Sequence, residues 1–142
     1  MTGRKRHLAV DTNGFLLLPY VTGAEVQDRD AADALLIDLK KEQPTLLHVW
    51  ADQGYQGELV DWAREHLGVT LEIVKRTAAG FTVQAKRWIV ERTIAWIGRS
   101  RRMARDFEAC AETTEAWMYL AMIRLMLRRL APPPGRKPYA AI

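Results

Sequence analysis

The alternation of strand-like and helical segments in the first half of the chain constrains the fold more than any other feature of the sequence. Residues 7–20 contain two apolar runs around Asn13-Gly14. This is a strong hairpin signal, because a type I′ turn needs positive φ at both central positions. Pro19 cannot donate a backbone hydrogen bond, so the second strand is predicted to end there or to lie at a sheet edge.

Helices and strands alternate after this hairpin. An apolar stripe with helical spacing predicts a helix over residues 29–42, with Asp28 as its N-cap. Gly68 is a suitable C-terminal cap for a second helix. The residues of the stripe are Ala32, Leu35, Leu36 and Leu39. The segments predicted after the first helix are a strand at 46–51, a helix at 57–67, a strand at 69–74, a loop at 77–82, a helix from about 84–86 to about 102 and a helix from about 115 to 130.

This order of elements, ββαβαβα(α), predicts an α/β fold in which helices flank an open mixed sheet. The predicted domain covers residues 1–131, and the Pro-rich segment 132–142 is predicted to be a disordered tail. Parallel strands joined by helices collect functional groups at their carboxyl ends. Polar residues at strand ends are therefore the first candidates for a site.

The segment VWADQGYQG, residues 49–57, places Asp52 at such a strand end. A buried carboxylate is costly unless hydrogen bonds or a cation compensate for its lost hydration. Two interpretations remain open at this point: Asp52 forms an ordinary turn with the glycine-rich residues that follow, or it is half of a metal site. Tyr55 then either positions Asp52, contacts a ligand or packs in the turn.

A second carboxylate lies in the predicted helix that contains RWIVERTIAW. Glu91 shares a helical face with Trp88 and Ile94, which predicts that it lies on the apolar side of the helix. The alternative is a weak surface ion pair with Arg87. If Asp52 and Glu91 approach each other, their repulsion favours a hard divalent cation between them, Mg²⁺ or Mn²⁺.

The charge distribution points to a polyanionic partner. Residues 1–74 carry 7 basic and 12 acidic side chains, whereas residues 75–142 carry 14 basic and 5 acidic ones. Of the 14 basic residues, 11 are arginine, which suits contacts to phosphate better than lysine does. The basic second half therefore favours nucleic acid as a partner, with solvated helix faces as the alternative.

Several motifs together resemble the C-terminal part of bacterial insertion-sequence transposases of the DDE type. The motifs are HLAVDTNGFLL, VWADQGYQG, RWIVERTIAWIGRSRRMARDFE and AWMYLAMIRLMLRRL, which span most of residues 3–131. The resemblance implies a ribonuclease-H-like fold. It also implies an Asp, Asp, Glu active site that binds two Mg²⁺ ions and carries out DNA strand cleavage and strand transfer.

The resemblance assigns roles to individual residues. Asp52 matches the second aspartate of the family and Glu91 matches the glutamate, so both are expected to be catalytic metal ligands. Arg87 matches an arginine four residues before the glutamate. The arginines expected to contact DNA are Arg87, Arg92, Arg99, Arg101 and Arg102. Solvated arginines remain the alternative for the last three.

The sequence also departs from the family pattern. Gln84 and Gly98 stand where some members have a tyrosine and a lysine. The strand that carries the first aspartate is expected to be missing, which would leave unpaired backbone groups on both sides of its central place in the sheet. Asp11 belongs by motif to the hairpin, where a turn role is the ordinary explanation.

The sequence therefore predicts a truncated transposase with impaired activity, acting on insertion-sequence ends. One alternative is a non-catalytic DNA-binding or interfering fragment, which would associate with another copy or with a full-length transposase. The other is a ribonuclease-H-like nuclease. Cys110 is the single cysteine, and no apolar run reaches the ~18 residues of a membrane span. A cytoplasmic location is expected.

Overall fold

The computed structural model describes residues 3–74, 86–131 and 134–135. The strands and α-helices in these ranges are β1 (Arg4–Val10), β2 (Leu16–Gly23), α1 (Asp28–Glu42), β3 (His48–Ala51), α2 (Glu58–Leu67), β4 (Thr70–Ile73), α3 (Arg87–Gly98) and α4 (Ala111–Leu130). A short 3₁₀ turn, Gln53–Tyr55, follows β3. The expectation of a mixed α/β structure is confirmed. The predicted loop at 77–82 and most of the predicted tail at 132–142 lie outside the described residues.

Local sequence signals explain some helix ends and misplace others. Gly68 has a φ of +63°, and its N–H bonds to the carbonyls of Ala63 and Arg64, so it ends α2 as predicted. The N-cap of α1 is Gln27, not Asp28. Asp28 is instead the first helical residue. Its carboxylate forms an ion pair with Lys5, whose Nζ lies 3.1 Å away.

The hairpin forms where it was predicted, but its turn is of a different type. Gly14 has a φ of +82°, whereas Asn13 does not have positive φ, which excludes a type I′ turn. The Asp11 carboxylate accepts hydrogen bonds from the N–H groups of Asn13 (2.9 Å) and Phe15 (2.8 Å). Because one side chain satisfies both donors, it selects the turn, and the predicted turn role of Asp11 is confirmed.

The described strands form two separate sheets rather than the single open sheet predicted from the sequence. Strands β1 and β2 pair in an antiparallel sheet, and strands β3 and β4 pair in a parallel sheet. Each sheet has two strands. Helix α1 packs against both strands of the first sheet and also against α2, which covers the second. The two sheets therefore share a helix but no backbone ladder in the described ranges.

The outer edge of the hairpin is closed by helix α4. Pro19 has no N–H on this edge, and the N–H of Val21 donates to Glu115 Oε1 at 2.8 Å. Since this N–H points away from β1, the cross-strand partner Arg6 must point its backbone groups away from β2. No strand in the described ranges pairs with this outer edge of β1.

Strand β3 has a similarly open edge. The carbonyls of Leu47 and Ala51 accept bonds from Thr70 and Val74 on the β4 side. In a parallel ladder, alternate residues face opposite edges, so the backbone groups of Trp50 point away from β4. Among the described residues, no strand pairs with this edge either.

Two apolar clusters support these two sheets. One lies between the hairpin, α3 and α4, and its buried members are Leu16, Val21, Ile97, Met103, Met118 and Met122. The other lies between α1, α2 and β4, and its buried members are Leu36, Ala63 and Leu71. None of the helices in the described ranges combines the length and the hydropathy that a membrane span requires.

Candidate functional site

Asp52 lies at the carboxyl end of β3, as the sequence predicted, and it starts a tight turn. Its Oδ1 accepts a hydrogen bond from the N–H of Gly54 at 3.0 Å, so the expected turn role is present. The residue is exposed. Because water still solvates this carboxylate, Asp52 does not carry the cost of a buried charge, and its other oxygen has no protein donor among the described residues.

Tyr55 fastens the Asp52 turn to the hairpin. Its hydroxyl hydrogen-bonds with Nδ1 of His7 at 2.8 Å, and Nε2 of His7 hydrogen-bonds with the hydroxyl of Thr22 at 3.2 Å. His7 is 4% exposed, so this three-residue chain is an internal link between β1, β2 and the turn after β3. His7 therefore has a structural role.

The environment keeps both members of this link neutral near pH 7. Burial raises the pKa of Tyr55 to about 12, and the nearby carboxylates of Asp28 and Asp52 act in the same direction. Burial also lowers the pKa of His7, with Lys5 adding to the effect and the two aspartates opposing it. A neutral imidazole can donate one hydrogen bond and accept another, which matches its two hydroxyl partners.

Asp28 is a neighbour of Asp52 that the sequence reasoning did not identify. A Cβ atom built on Gly54 would lie 3.2 Å from Asp28 Oδ2 and 3.2 Å from Asp52 Oδ1, so both carboxylates face the same point. Lys5 pairs with Asp28 and lies beside the same shallow cleft. The first turn of α1 meets the end of β3, and this packing brings the two carboxylates together. No spacing rule in the sequence could have predicted that contact, because the two residues are far apart along the chain.

The described side chains do not complete a metal site. Asp52 offers a solvated carboxylate oxygen of the kind that Mg²⁺ prefers, and Asp28 is close but is engaged by Lys5. No group of three or more His, Cys, Asp or Glu side chains is suitably placed for a metal ion anywhere in residues 3–74 and 86–131. The site as described thus falls short of the ligand set that two divalent ions need.

Glu91 lies on the exposed face of α3, which contradicts the predicted apolar environment. Its helical neighbours Trp88 and Ile94 are 39% and 52% exposed. The buried face contains Thr93, whose hydroxyl donates to the carbonyl of Gly14 at 2.6 Å, and Ile97. The prediction failed because α3 is apolar on more than one side, so shared helical spacing could not identify the face that packs.

Arg92 has a structural environment that the sequence did not indicate. Its guanidinium lies between the rings of Trp88 and Trp96, 4.3 Å and 4.6 Å from their centroids. One N–H donates to the carbonyl of Asn13 at 2.7 Å. Together with Thr93, this arginine fastens the hairpin turn to α3, which leaves less of its side chain for an external partner.

The remaining predicted arginines differ in whether they contact other side chains of this chain. Arg102 lies 5.0 Å from the ring centroid of Trp117 and 3.5 Å from Glu108. Arg99 and Arg101 are exposed in the segment that follows α3. The side chain of Arg87 and the whole of Gln84 lie outside the described residues.

Comparison with known proteins identifies the family. The model of the family described as "Transposase DDE domain" matches residues 1–126. A protein of Burkholderia cepacia, named "Putative transposase for insertion sequence element IS402", is 33% identical over 83% of this chain and 60% of its own length. The chain thus spans less than two thirds of that relative. No solved structure matches. With nearly all of the described residues inside the matched range, the chain belongs to the transposase DDE domain family.

Proposed function

We propose that residues 1–131 are a catalytic-domain portion of an insertion-sequence transposase with a ribonuclease-H-like arrangement. In this proposal Asp52 and Glu91 correspond to the second and third acids of the family, and the reaction in an intact relative is DNA strand cleavage and strand transfer. The observation that carries the proposal is the exposed carboxylate of Asp52 at the end of a parallel strand, in a chain of this family.

We further propose that this form has impaired activity. The open edges of β1 and β3 support this, because a strand lying between them would join the two sheets and bring a further side chain beside Asp52. The absence of a three-ligand cluster in residues 3–74 and 86–131 supports it too. The cofactor proposed for a completed site is Mg²⁺ or Mn²⁺.

The proposed substrate is duplex DNA at the ends of the element, in the cytoplasm. Arg99 and Arg101 are the best placed of the predicted contacts, since both are exposed just after the helix that carries Glu91. Arg102 and Arg87 are included on sequence grounds. Arg92 is better explained as an anchor of the hairpin turn, and its role as a DNA contact is proposed from the sequence alone. Association with another copy or with a full-length transposase also stays a proposal.

A nicking assay tests the enzymatic part of this proposal. The chain is incubated with Mn²⁺ and a labelled duplex containing the inverted repeats that flank its gene. We expect weak, end-specific nicking that Asp52→Asn abolishes and that Asp61→Asn, a change at an exposed acid on α2, leaves intact. Nicking that survives Asp52→Asn would remove Asp52 from the mechanism. Cleavage without any strand transfer would favour the ribonuclease-H-like nuclease.

A non-catalytic DNA-binding fragment is the second candidate, and the absence of a three-ligand cluster among the residues that the structure describes favours it specifically. Fluorescence anisotropy with the same duplex at several salt concentrations separates the two candidates. Salt-dependent binding that weakens in the Arg99→Gln/Arg101→Gln variant, without any nicking, would support the fragment. The matched control is Arg64→Gln on α2. Affinity that does not depend on salt would contradict phosphate contacts in both candidates.

A further inference from the structure

Helix α4 has a second apolar face that nothing in the described ranges covers. Its inner face buries Thr114, Met118 and Met122 against the hairpin and α3. The opposite face carries four exposed residues, which we name the α4 stripe: Leu120 (51% exposed), Ile123 (45%), Leu127 (59%) and Leu130 (83%). Apolar side chains clustered on one surface mark an interaction site more often than the same residues scattered singly.

The spacing of the α4 stripe is that of a helix-packing seam. Its members follow one another at intervals of three, four and three residues, which is the a/d pattern of a coiled coil. The stripe borders an open groove with a volume of about 370 Å³, lined by Leu120, Ile123, Arg124, Leu127, Arg128 and Ala131. All of these residues belong to α4 or follow it directly, so the groove is a shallow surface along one face of a single helix, against which a second helix can pack.

The charges beside the stripe define what kind of helix fits. Arg124 and Arg128 line the groove, both are exposed, and neither forms an ion pair with an acid in the described ranges. Charges that flank an apolar seam select partners by complementarity. Acidic side chains on the partner would meet these arginines, whereas basic ones would be repelled.

A second copy that packs its own α4 stripe here does not meet that requirement. Overlap of two α4 stripes would bring the same arginines of both copies to one stretch of the interface. The α3 face that carries Trp88 and Ile94 beside Glu91 is exposed too, so pairing of α4 with α3 of a second copy is one outcome of the test below. Charge complementarity therefore favours a helix with acidic flanks over a second α4.

We propose that the α4 stripe is a docking site for an amphipathic helix of a partner protein whose apolar seam is flanked by acidic residues. The partner's apolar side chains fill the groove beside Leu120 and Leu127, and its carboxylates pair with Arg124 and Arg128. This site is separate from Asp52 and Glu91, so it does not depend on the proposed chemistry.

Two matched peptides test this proposal with the full chain. Each has about three heptads with Leu at a and d; the acidic peptide has Glu at e and g, and the basic peptide has Lys there. Fluorescence anisotropy of labelled peptide is expected to show that the acidic peptide binds at least about tenfold more tightly than the basic one. Leu127→Glu should weaken this binding by at least about tenfold, because it places a charge in the seam.

Variants elsewhere provide the controls. Leu47→Glu changes an exposed leucine outside the stripe (70% exposed), and Arg101→Glu changes an exposed arginine outside the groove; neither should alter peptide binding. The double variant Arg124→Glu/Arg128→Glu should reverse the preference and bind the basic peptide. This reversal keeps the proposal testable even if Leu127→Glu lowers the folded fraction seen by circular dichroism.

Four results would overturn the proposal. Equal binding of the two peptides would show that the arginines select nothing. Unchanged binding after Leu127→Glu in a folded chain would place the peptide elsewhere. Concentration-dependent dimerisation that Leu127→Glu abolishes, without peptide binding, would assign the stripe to a second copy. Binding to vesicles rich in phosphatidylserine, lost in the same variant and again without peptide binding, would assign it to a membrane surface.

Discussion

Two turns in this molecule start from an aspartate at the end of a strand, and they use that aspartate differently. Asp11, after β1, accepts bonds from two backbone N–H groups at 2.9 Å and 2.8 Å. Asp52, after β3, accepts one from Gly54 at 3.0 Å. Both bonds to Asp11 fall on its Oδ1, as the single bond to Asp52 does, so each aspartate keeps an Oδ2 with no protein donor in the described ranges. The two residues differ in exposure instead, since Asp11 is half-buried and Asp52 is exposed. A strand-end aspartate is thus a stronger candidate ligand when its carboxylate is open to solvent.

The surroundings of the two turns reinforce this difference. The Asp11 turn is clamped by α3, through the N–H of Arg92 to Asn13 and the hydroxyl of Thr93 to Gly14. The Asp52 turn is held from one side by the Tyr55–His7 link, and its open side faces Asp28 and the shallow cleft. Rigid attachment beside an exposed carboxylate is what a binding residue requires, since its orientation is fixed while its ligand can approach.

Substitution of the glycine in each turn should give the largest difference in the free energy of unfolding between the two turns. At Gly14 the φ of +82° strains any other residue, and a Cβ atom would lie 2.9 Å from Thr93 Oγ1 in a buried contact. We expect Gly14→Ala to lower the free energy of unfolding by about 2–3 kcal/mol. Gly54→Ala should cost much less, because its φ is not positive and its nearest atoms, at 3.2 Å, belong to side chains.

Chemical denaturation measures both glycine effects, and Gly68→Ala serves as the control. Gly68 has a φ of +63° with nothing within 4 Å of the built Cβ, so it isolates the backbone contribution. A Gly14→Ala cost no larger than that of Gly68→Ala would mean that the clamp by α3 adds no constraint to the first turn.

Removal of the carboxylate from each turn should give the next largest difference in the free energy of unfolding. Asp11→Ala leaves the N–H groups of Asn13 and Phe15 without their acceptor, so we expect a loss of about 1–3 kcal/mol in the free energy of unfolding. Asp52→Ala should cost clearly less, because Asp52 is exposed and water can replace its single bond. Urea titrations of both variants measure this. Equal costs would contradict the distinction between the two turns.

Much of the architecture could be predicted from the sequence, because it depends on local patterns. The apolar stripe through Leu35 and Leu39 predicted α1, and Gly68 predicted the end of α2. Both predictions held because helix periodicity and left-handed caps depend on residues only a few positions apart. The place of Asp52 at a strand end followed in the same way.

Features that depend on distant neighbours could not be predicted in this way. The turn type depended on the side chain of Asp11, and the exposed face of Glu91 depended on which side of α3 meets Gly14. The closeness of Asp28 to Asp52 depends on how α1 sits against β3. Separation of the strands into two sheets is likewise a property of pairing between distant segments, which no local pattern specifies.

The smallest expected effect is the pH dependence that arises from the link behind the second turn. Burial lowers the pKa of His7 in the folded chain below its ordinary value of 6.5. At a pH between the folded-state pKa and 6.5, the unfolded chain therefore binds more protons than the folded chain. The free energy of unfolding should therefore decrease as pH falls below 6.5, by at most about 1.4 kcal/mol per pH unit.

The variant His7→Gln should remove this part of the pH dependence while keeping polar contact with the Tyr55 hydroxyl. His66→Gln on α2 is the matched control, since that ring is exposed. Denaturation curves between pH 5 and pH 8 make the comparison. A wild-type slope that His7→Gln leaves unchanged would mean that the pH dependence does not arise from the buried imidazole.

The most direct test of the contrast between the two aspartates is Mn²⁺ titration of the ¹⁵N-labelled chain, followed by paramagnetic broadening of the backbone amides. Broadening is expected to centre on Gly54 and its neighbours, to disappear in Asp52→Asn and to remain in Asp11→Asn. Broadening centred on the Asp11 turn, or broadening at Gly54 that persists in Asp52→Asn, would contradict the claim that the exposed Asp52, rather than the half-buried Asp11, is the strand-end carboxylate accessible to a ligand.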